Sequence, residues 1–254
     1  MLRAVARAAY RSVRPIHTLE MCGRRLRVPF EARRARPTAD YPVHMALARS
    51  RRMIFDVGAN IGVLAALMTP REATLVCFEA SEELAFICQR TLQLNDIAAQ
   101  VVNAVVGARS GEPVMFYEWT TVKGFLGHTL GITKASLALD DFSDATGNVP
   151  DFVKIDVEGS EGPVLFGLTR TLRENRPAVL MELHSLSGHR GVADNARSIL
   201  PLLWDVGYRM IYLRTGQAIT DASQFGTRGR THVLCLAEEE RDPDALKDLD
   251  STRL

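Results

Sequence analysis

Acidic side chains close four apolar runs of this chain, and their types and spacing could bind a nucleoside and move a proton. The first run reads Met53-Ile54-Phe55-Asp56-Val57-Gly58-Ala59-Asn60-Ile61-Gly62. A second, Ala73 to Phe78, ends in Glu79, seventeen residues beyond Gly62. A third segment carries Lys154, Asp156, Glu158 and Glu161, and a fourth, Ala178 to His184, carries Glu182 and His184. A carboxylate at the tip of a second strand suits the two hydroxyls of an adenosine ribose. Gly58 permits a tight turn and leaves room for a ligand. Asn60 is placed to cap a helix from about Ile61, and Gly62 lets that helix lie close to strand and ligand.

Two nucleoside cofactors fit this geometry, a nicotinamide dinucleotide and S-adenosylmethionine. The dinucleotide fingerprint is G-x-G-x-x-G, whose middle glycine lets the backbone approach a pyrophosphate. Here the pattern is G-x-x-x-G with Asn60 in the middle, and no Lys or Arg lies between Asp56 and Pro70. S-adenosylmethionine carries a sulfonium and an amino group instead of phosphates, and both favour a carboxylate such as Asp56. The balance falls to S-adenosylmethionine.

The segment D-F-V-K-I-D-V-E-G-S-E-G, residues 151–162, adds a second constellation. Lys154 and Asp156 are two apart and share one face of a strand, as do Glu182 and His184 on another. Buried charges need partners, and a Lys154–Glu182 pair is one structural expectation. The functional expectation is that Asp156, Glu158, Glu161 and His184 gather where chemistry would occur. Asp156 and His184 are then the candidate bases, with Glu158 and Glu161 orienting an acceptor. An ordinary imidazole pKa of about 6.5 suits a base near neutrality. Asp156 with Glu182 or His184 could instead hold a divalent cation. His128, His189 and His232 show no partner in the sequence and read as loop or surface.

These residues must be positioned by alternating strands and helices. Strands are expected at 53–56, 73–78, 99–106, 152–156 and 178–184, with helices from Ile61, from a Ser81 cap to Asn95, from Gly159 to Glu174 and from Ala193 to Gly207. Two final strands, Tyr208 to Leu213 and His232 to Ala237, read as an antiparallel edge hairpin. An added strand is expected over 111–119, followed by a polar loop with Gly124, Gly127 and Gly131. Thr18 to Phe30 reads as a hairpin around Gly23. The pattern is that of an α/β, doubly wound, mostly parallel sheet with its ligand at the carboxyl ends of the strands.

The length of 254 residues suits one such domain with terminal extensions. The expected division is a basic helix-and-hairpin extension over 1–50, the catalytic domain over 51–238 and a charged, frayed tail over 239–254. Charge is divided unevenly: residues 1–52 hold thirteen Arg and three acids, so the rest of the chain carries a net −9. Arg3, Arg7 and Arg11 share a helical face, which suits a solvated helix, an anionic membrane surface or a targeting segment. Four scattered cysteines without C-x-x-C suit a reducing cytosol, and a cytoplasmic location is expected. A nucleic-acid target is disfavoured by the acidic catalytic domain and the lack of an N-P-P-Y-type tetrad. A dinucleotide oxidoreductase and a non-enzymatic membrane-surface protein remain the competing readings.

In this order the blocks F-D-V-G-A-N-I-G (55–62), F-E-A (78–80), L-N (94–95), N-A-V-V-G (103–107), L-D-D-F (139–142), D-F-V-K-I-D-V-E-G-S-E (151–161) and P-A-V-L-M-E-L-H (177–184) resemble the FkbM family of S-adenosylmethionine-dependent methyltransferases. Ala80 departs from the proline usual in that family after the second-strand Glu. The resemblance implies a class I methyltransferase fold, Rossmann-like, and O-methylation of a hydroxyl on a sugar, glycan or polyketide-like small molecule. It implies cofactor contacts from Asp56, Gly58, Ala59, Asn60, Gly62 and Glu79, and places Ala104 and Val105 near the adenine.

Overall fold

The computed structural model describes residues 15–117, 131–185, 192–225 and 230–246. The Arg-rich opening with Arg3, Arg7 and Arg11 lies outside them, as do Gly124, Gly127, His128 and His189. A hairpin of β1 (His17–Met21) and β2 (Arg24–Val28) precedes helix α1 (Tyr41–Ala48). Then follow β3 (Met53–Val57), α2 (Val63–Met68), β4 (Thr74–Phe78), α3 (Glu82–Leu94), β5 (Ala99–Val102), β6 (Val105–Val106), β7 (Pro113–Tyr117) and β8 (Gly131–Leu137). The remainder is α4 (Leu139–Thr146), β9 (Phe152–Ile155), α5 (Glu161–Phe166), α6 (Thr169–Glu174), β10 (Ala178–His184), α7 (Val192–Asp205), β11 (Tyr208–Tyr212), β12 (Gln217–Ile219) and β13 (Arg230–Ala237).

Eight strands form the main sheet in the order β12-β11-β13-β10-β9-β3-β4-β5. Strands β5, β4, β3, β9 and β10 are parallel, while β13 runs antiparallel between β10 and β11. Apolar runs without alternation explain the centre: all seven residues of β10 are buried, as expected for a strand covered on both faces. One face packs on α1, α2, α3 and the β1–β2 hairpin, which contributes Met21, Leu26 and Val28 to that core. The other packs on α4, α5, α6 and α7. There Phe55, Phe78 and Phe142 meet edge-to-face at 5.3, 5.7 and 5.0 Å between ring centroids, joining α4 to β3 and β4.

Several local expectations change. The strand expected over 99–106 is two pieces, because Asn103 Nδ2 donates to the carbonyls of Glu79 (2.8 Å) and Ala80 (3.0 Å) and turns the chain away. Val105 and Val106 pair instead with β8, in a separate sheet of order β6-β8-β7. Residue 131, expected in a loop, begins β8. The helix expected from Gly159 to Glu174 breaks at Gly167, where an added Cβ would lie 2.2 Å from the Gly107 carbonyl oxygen. The tail beyond residue 238 is pinned at its start by Arg176–Glu239 (2.7 Å), Arg51–Glu240 (2.6 Å) and Arg209–Asp242 (2.6 Å). Among the described residues, no helix is long and apolar enough to cross a membrane.

Candidate active site

From β3 the chain winds outward through β4 and β5, then returns to build β9 and β10 on the other side. The crevice at this reversal lies beyond the carboxyl ends of β3 and β9. Gly58, at φ +79°, turns the chain there, and a Cβ on it would lie 1.8 Å from the Asp156 carbonyl oxygen. Its need for glycine therefore comes from the end of β9, not from a ligand alone. Gly58 N and Ala59 N both donate to the Phe78 carbonyl (2.9 and 3.1 Å), and Gly62 N to that of Ala59 (2.9 Å). Asn60 takes a left-handed backbone (φ 52°), and α2 starts only at Val63. Asn60 is thus part of the turn and not the expected cap. Gly62 permits close packing on α3, where its Cβ would stand 2.8 Å from Cys88 Sγ.

Glu79 gathers the two loops above β3 and β4. Its Oε2 accepts from Asn60 N (2.7 Å) and its Oε1 from Ser81 N (2.9 Å). Burial pushes its pKa up, against those two N–H bonds. Each oxygen has accepted one hydrogen, so the carboxylate retains capacity for ribose hydroxyls. Ser81 caps α3 as expected, accepting from Leu84 N at 3.4 Å. Lys134 Nζ donates to the Ala80 carbonyl (2.5 Å), which fixes the loop where the sequence lacks the family's proline. Ala104 and Val105 follow Asn103 beside this loop and are half-buried. Lys134 carries no signal in the sequence and Asn103 only as part of the 103–107 block, because both act through distant backbone carbonyls.

Asp56 is not placed as expected. It is 0% exposed, so it offers no face to a cofactor. Its Oδ1 lies 3.0 Å from Lys154 Nζ, which also donates to the Gly58 carbonyl (2.9 Å) and stands 3.7 Å from Asp156 Oδ2. The register explains the pairing: Asp56 is directly opposite Lys154, whereas Lys154 faces Leu180, not Glu182, on β10. Burial works against the Lys154 ammonium, but the charges of Asp56 and Asp156 outweigh it and hold the pKa above its ordinary value. Burial raises the Asp56 carboxyl's pKa, against the Lys154 charge and hydrogen bond that lower it, and the contact ties the first turn to the end of β9.

Beyond β9 and β10 the structure brings Asp156, Glu158, Glu161, Glu182 and His184 together. His184 Nδ1 lies 3.0 Å from Glu161 Oε1, and its Nε2 stands 3.5 Å from Glu158, 3.8 Å from Glu182 and 3.9 Å from Asp156. Glu161 is wholly buried and also accepts from Gly159 N (3.0 Å) and Asn195 Nδ2 (2.7 Å). It therefore positions His184 and cannot reach an acceptor, as the sequence reading had it do. Burial opposes protonation of His184, but the Glu161 hydrogen bond and the charges of Glu158, Glu161 and Glu182 raise its pKa to about 9. The neutral imidazole expected of a base is thus disfavoured near neutrality. Glu158 is held at φ 52° beside Gly159 at φ 102°, a backbone that costs energy for a non-glycine residue and aims its carboxylate outward.

The seam continues toward α1. Glu182 pairs in register with His232, and its pKa is raised by burial and by Asp156. Arg230 Nη1 stands 2.9 Å from Glu182 Oε1, and His232 Nε2 lies 3.7 Å from Glu182 Oε2 and 3.3 Å from Asp40 Oδ2. His232, expected on the surface without a partner, is therefore between two carboxylates. His44 contributes Nδ1, 3.0 Å from the Asp40 carbonyl, and burial lowers its pKa to about 4. Among the described residues, two groups could hold a metal ion, Asp156–Glu158–His184 and Asp40–His44–His232, with ligand atoms in each within 4.8 Å of one another.

Solved structures share this fold. The cofactor-bound protein Rv0187 of MTB superposes with a TM-score of 0.50 at 16% identity, over 94% of this chain and 90% of that one. A candidate O-methyltransferase of Klebsiella pneumoniae gives a TM-score of 0.50 at 13% identity, over 83% of each chain. A methyltransferase FkbM of Methylobacillus flagellatus KT gives 0.45 at 16% identity, over 81% of this chain and 46% of that one. No protein of curated function matches the sequence. The sheet is the class I methyltransferase fold. The model of the methyltransferase FkbM domain matches residues 56–210, which is more than half of the chain. The chain belongs to the FkbM methyltransferase family.

Proposed function

We propose that this methyltransferase takes its methyl group from S-adenosylmethionine and places it on a hydroxyl of a small-molecule or glycan acceptor, of sugar or polyketide-like type. The observation that carries this reading is Glu79, fixed by Asn60 N and Ser81 N at the crevice, with acceptor capacity left for a ribose. The amides support the choice of nucleoside. Those of Gly58, Ala59, Asn60 and Gly62 are all engaged within the protein, so they form no nest for a pyrophosphate. The turn thus suits a ligand without phosphates, and family membership speaks against the dinucleotide oxidoreductase.

S-adenosylmethionine, when bound, supplies a methyl group on a sulfonium. The chain's part is to hold an acceptor oxygen in line with that carbon, a contribution of several kcal/mol in well-oriented reactions. Asp156 is suited to this, since its side chain is about one-third exposed and Lys154 anchors one of its oxygens at 3.7 Å. The other faces His184, and an acceptor hydroxyl can donate to it. Glu158, on the solvent side, can take a second acceptor hydroxyl. In a calorimetric comparison the chain is expected to bind S-adenosylhomocysteine and not NAD. Glu79→Ala is expected to weaken S-adenosylhomocysteine by about 1.5–3 kcal/mol, roughly 10- to 150-fold. Unchanged affinity would remove the ribose assignment.

A further inference from the structure

We infer that Asp156, Glu158 and His184 Nε2, with Glu182 beside them, form a site for one first-row divalent cation at the mouth of the crevice. The inference rests on the methyl-transfer reading only for its role, which is to orient and polarise the acceptor hydroxyl. The site itself is argued from four observations.

The first is the way His184 is held. A metal-ligating imidazole ordinarily passes its other N–H to a carboxylate, which fixes ring and tautomer. Here Nδ1 meets the buried Glu161, which Asn195 and Gly159 brace in turn. Nε2 is left pointing among carboxylates. The second is spacing. Bonds of about 2.0–2.2 Å in tetrahedral array set neighbouring ligand atoms about 3.3–3.6 Å apart. Glu158 stands 3.5 Å from Nε2, and Asp156 (3.9 Å) needs to close by a few tenths of an ångström.

The third observation is a buried carboxylate oxygen beside the site that lacks a hydrogen bond. Glu182 Oε1 belongs to a side chain nine-tenths buried and has no hydrogen-bond partner among the described residues. Arg230 is near it at 2.9 Å, but off the hydrogen-bond direction. The fourth is charge. Asp156, Glu158, Glu161 and Glu182 surround one imidazole, with Lys154 shared with Asp56 and Arg230 at the rim, so a divalent cation at Nε2 would take the place of the His184 proton among them. A mixed imidazole–carboxylate set suits Mn²⁺ or Zn²⁺ better than a thiolate-seeking ion. The exposed side of Glu158 leaves a position for an acceptor oxygen.

The test uses the full chain, stripped with EDTA and titrated by calorimetry with MnCl₂ and with ZnSO₄, and separately with S-adenosylhomocysteine. One Mn²⁺ or Zn²⁺ per chain is expected. His184→Ala and Asp156→Asn should each lower the affinity at least tenfold, by the loss of a ligand. Glu161→Gln should lower it by about 10–100-fold through the positioning of His184. Glu158→Gln alters an exposed side chain, so it should stay folded, and it too should weaken the ion. Bound Mn²⁺ should show nitrogen modulation in its spin-echo spectrum, lost in His184→Ala. Absence of binding by both ions, or unchanged affinity in folded Glu158→Gln and His184→Ala, would overturn the site. A chain that binds S-adenosylhomocysteine but neither ion loses only this inference. One that binds an ion but not S-adenosylhomocysteine loses the methyl-donor reading and keeps the cation site.

Discussion

Lys154→Met is the substitution that tests how the crevice is held. Lys154 has a side chain only 5% exposed, and Asp56 is buried against it at 3.0 Å. Met keeps most of the volume and removes the ammonium. Three interactions go at once: the ion pair with Asp56, the hydrogen bond to the Gly58 carbonyl and the attraction to Asp156. The attraction to Asp156, across 3.7 Å and partly open to water, contributes the least. The dominant cost is the charge left on Asp56 without water or partner. Breaking one side of a buried pair typically costs about 3–5 kcal/mol, a large share of the roughly 5–15 kcal/mol that holds a domain together.

The variant is therefore expected to unfold in urea with a midpoint far below that of the parent at pH 7.5. Asp56→Asn placed on top of Lys154→Met removes the orphaned charge and should recover part of the loss. Because the first turn hangs on this contact, S-adenosylhomocysteine binding should weaken in the single variant even where it is folded. A Lys154→Met chain within about 1 kcal/mol of the parent would refute the argument. So would a double variant no more stable than the single one, since the cost would then not come from Asp56.

Three further outcomes follow from the same geometry. Gly58→Ala should destabilise by about 1–3 kcal/mol and abolish S-adenosylhomocysteine binding, because its Cβ would fall 1.8 Å from the Asp156 carbonyl; normal binding by calorimetry would contradict the close approach. His44 has its pKa lowered by burial to about 4, against about 6.5 in an unfolded chain. The unfolded state then binds more protons between these values, so stability should fall by up to about 3 kcal/mol as pH drops from 6.5 to 4. His44→Leu should flatten that part of a urea-stability profile, and an equally steep profile would count against it. Asp156→Asn and His184→Ala should each retain S-adenosylhomocysteine binding, and at least one should lose turnover by about 10²–10⁴; full turnover in both would leave positioning by other groups as the source of rate.

The sequence shows the frame of the site and little of its wiring, and the reason is physical. Spacing of two along a strand reveals which residues share a face, so Lys154 with Asp156 and Glu182 with His184 were legible. Register across strands is not encoded in that spacing. It is set by how whole strands pack, and it places Lys154 opposite Asp56 and Glu182 opposite His232. A strand followed by a glycine turn was equally legible, yet the reason for Gly58 lay on another strand, in the Asp156 carbonyl. Helix breaks at Gly167 and strand breaks at Asn103 share that origin, since each answers a contact far away in sequence.

The same reasoning changes the place of the segment before β3. It read as an extension, apart from the catalytic domain, because no spacing links residue 40 to residue 232. In the fold, Asp40 and His44 close the polar seam that begins at Asp56 and runs through Lys154, Asp156, Glu182 and His232. Glu182 is the joint between the two halves, 3.8 Å from His184 and 3.7 Å from His232. Asp40 meets His232 at 3.3 Å, His232 meets Glu182 at 3.7 Å and Glu182 meets His184 at 3.8 Å, so a change in charge at Asp40 is expected to shift the titration of the group around His184. Substitutions in α1 should therefore be felt at the crevice without touching any ligand, and the segment outside the matched family domain belongs to the electrostatics of the site.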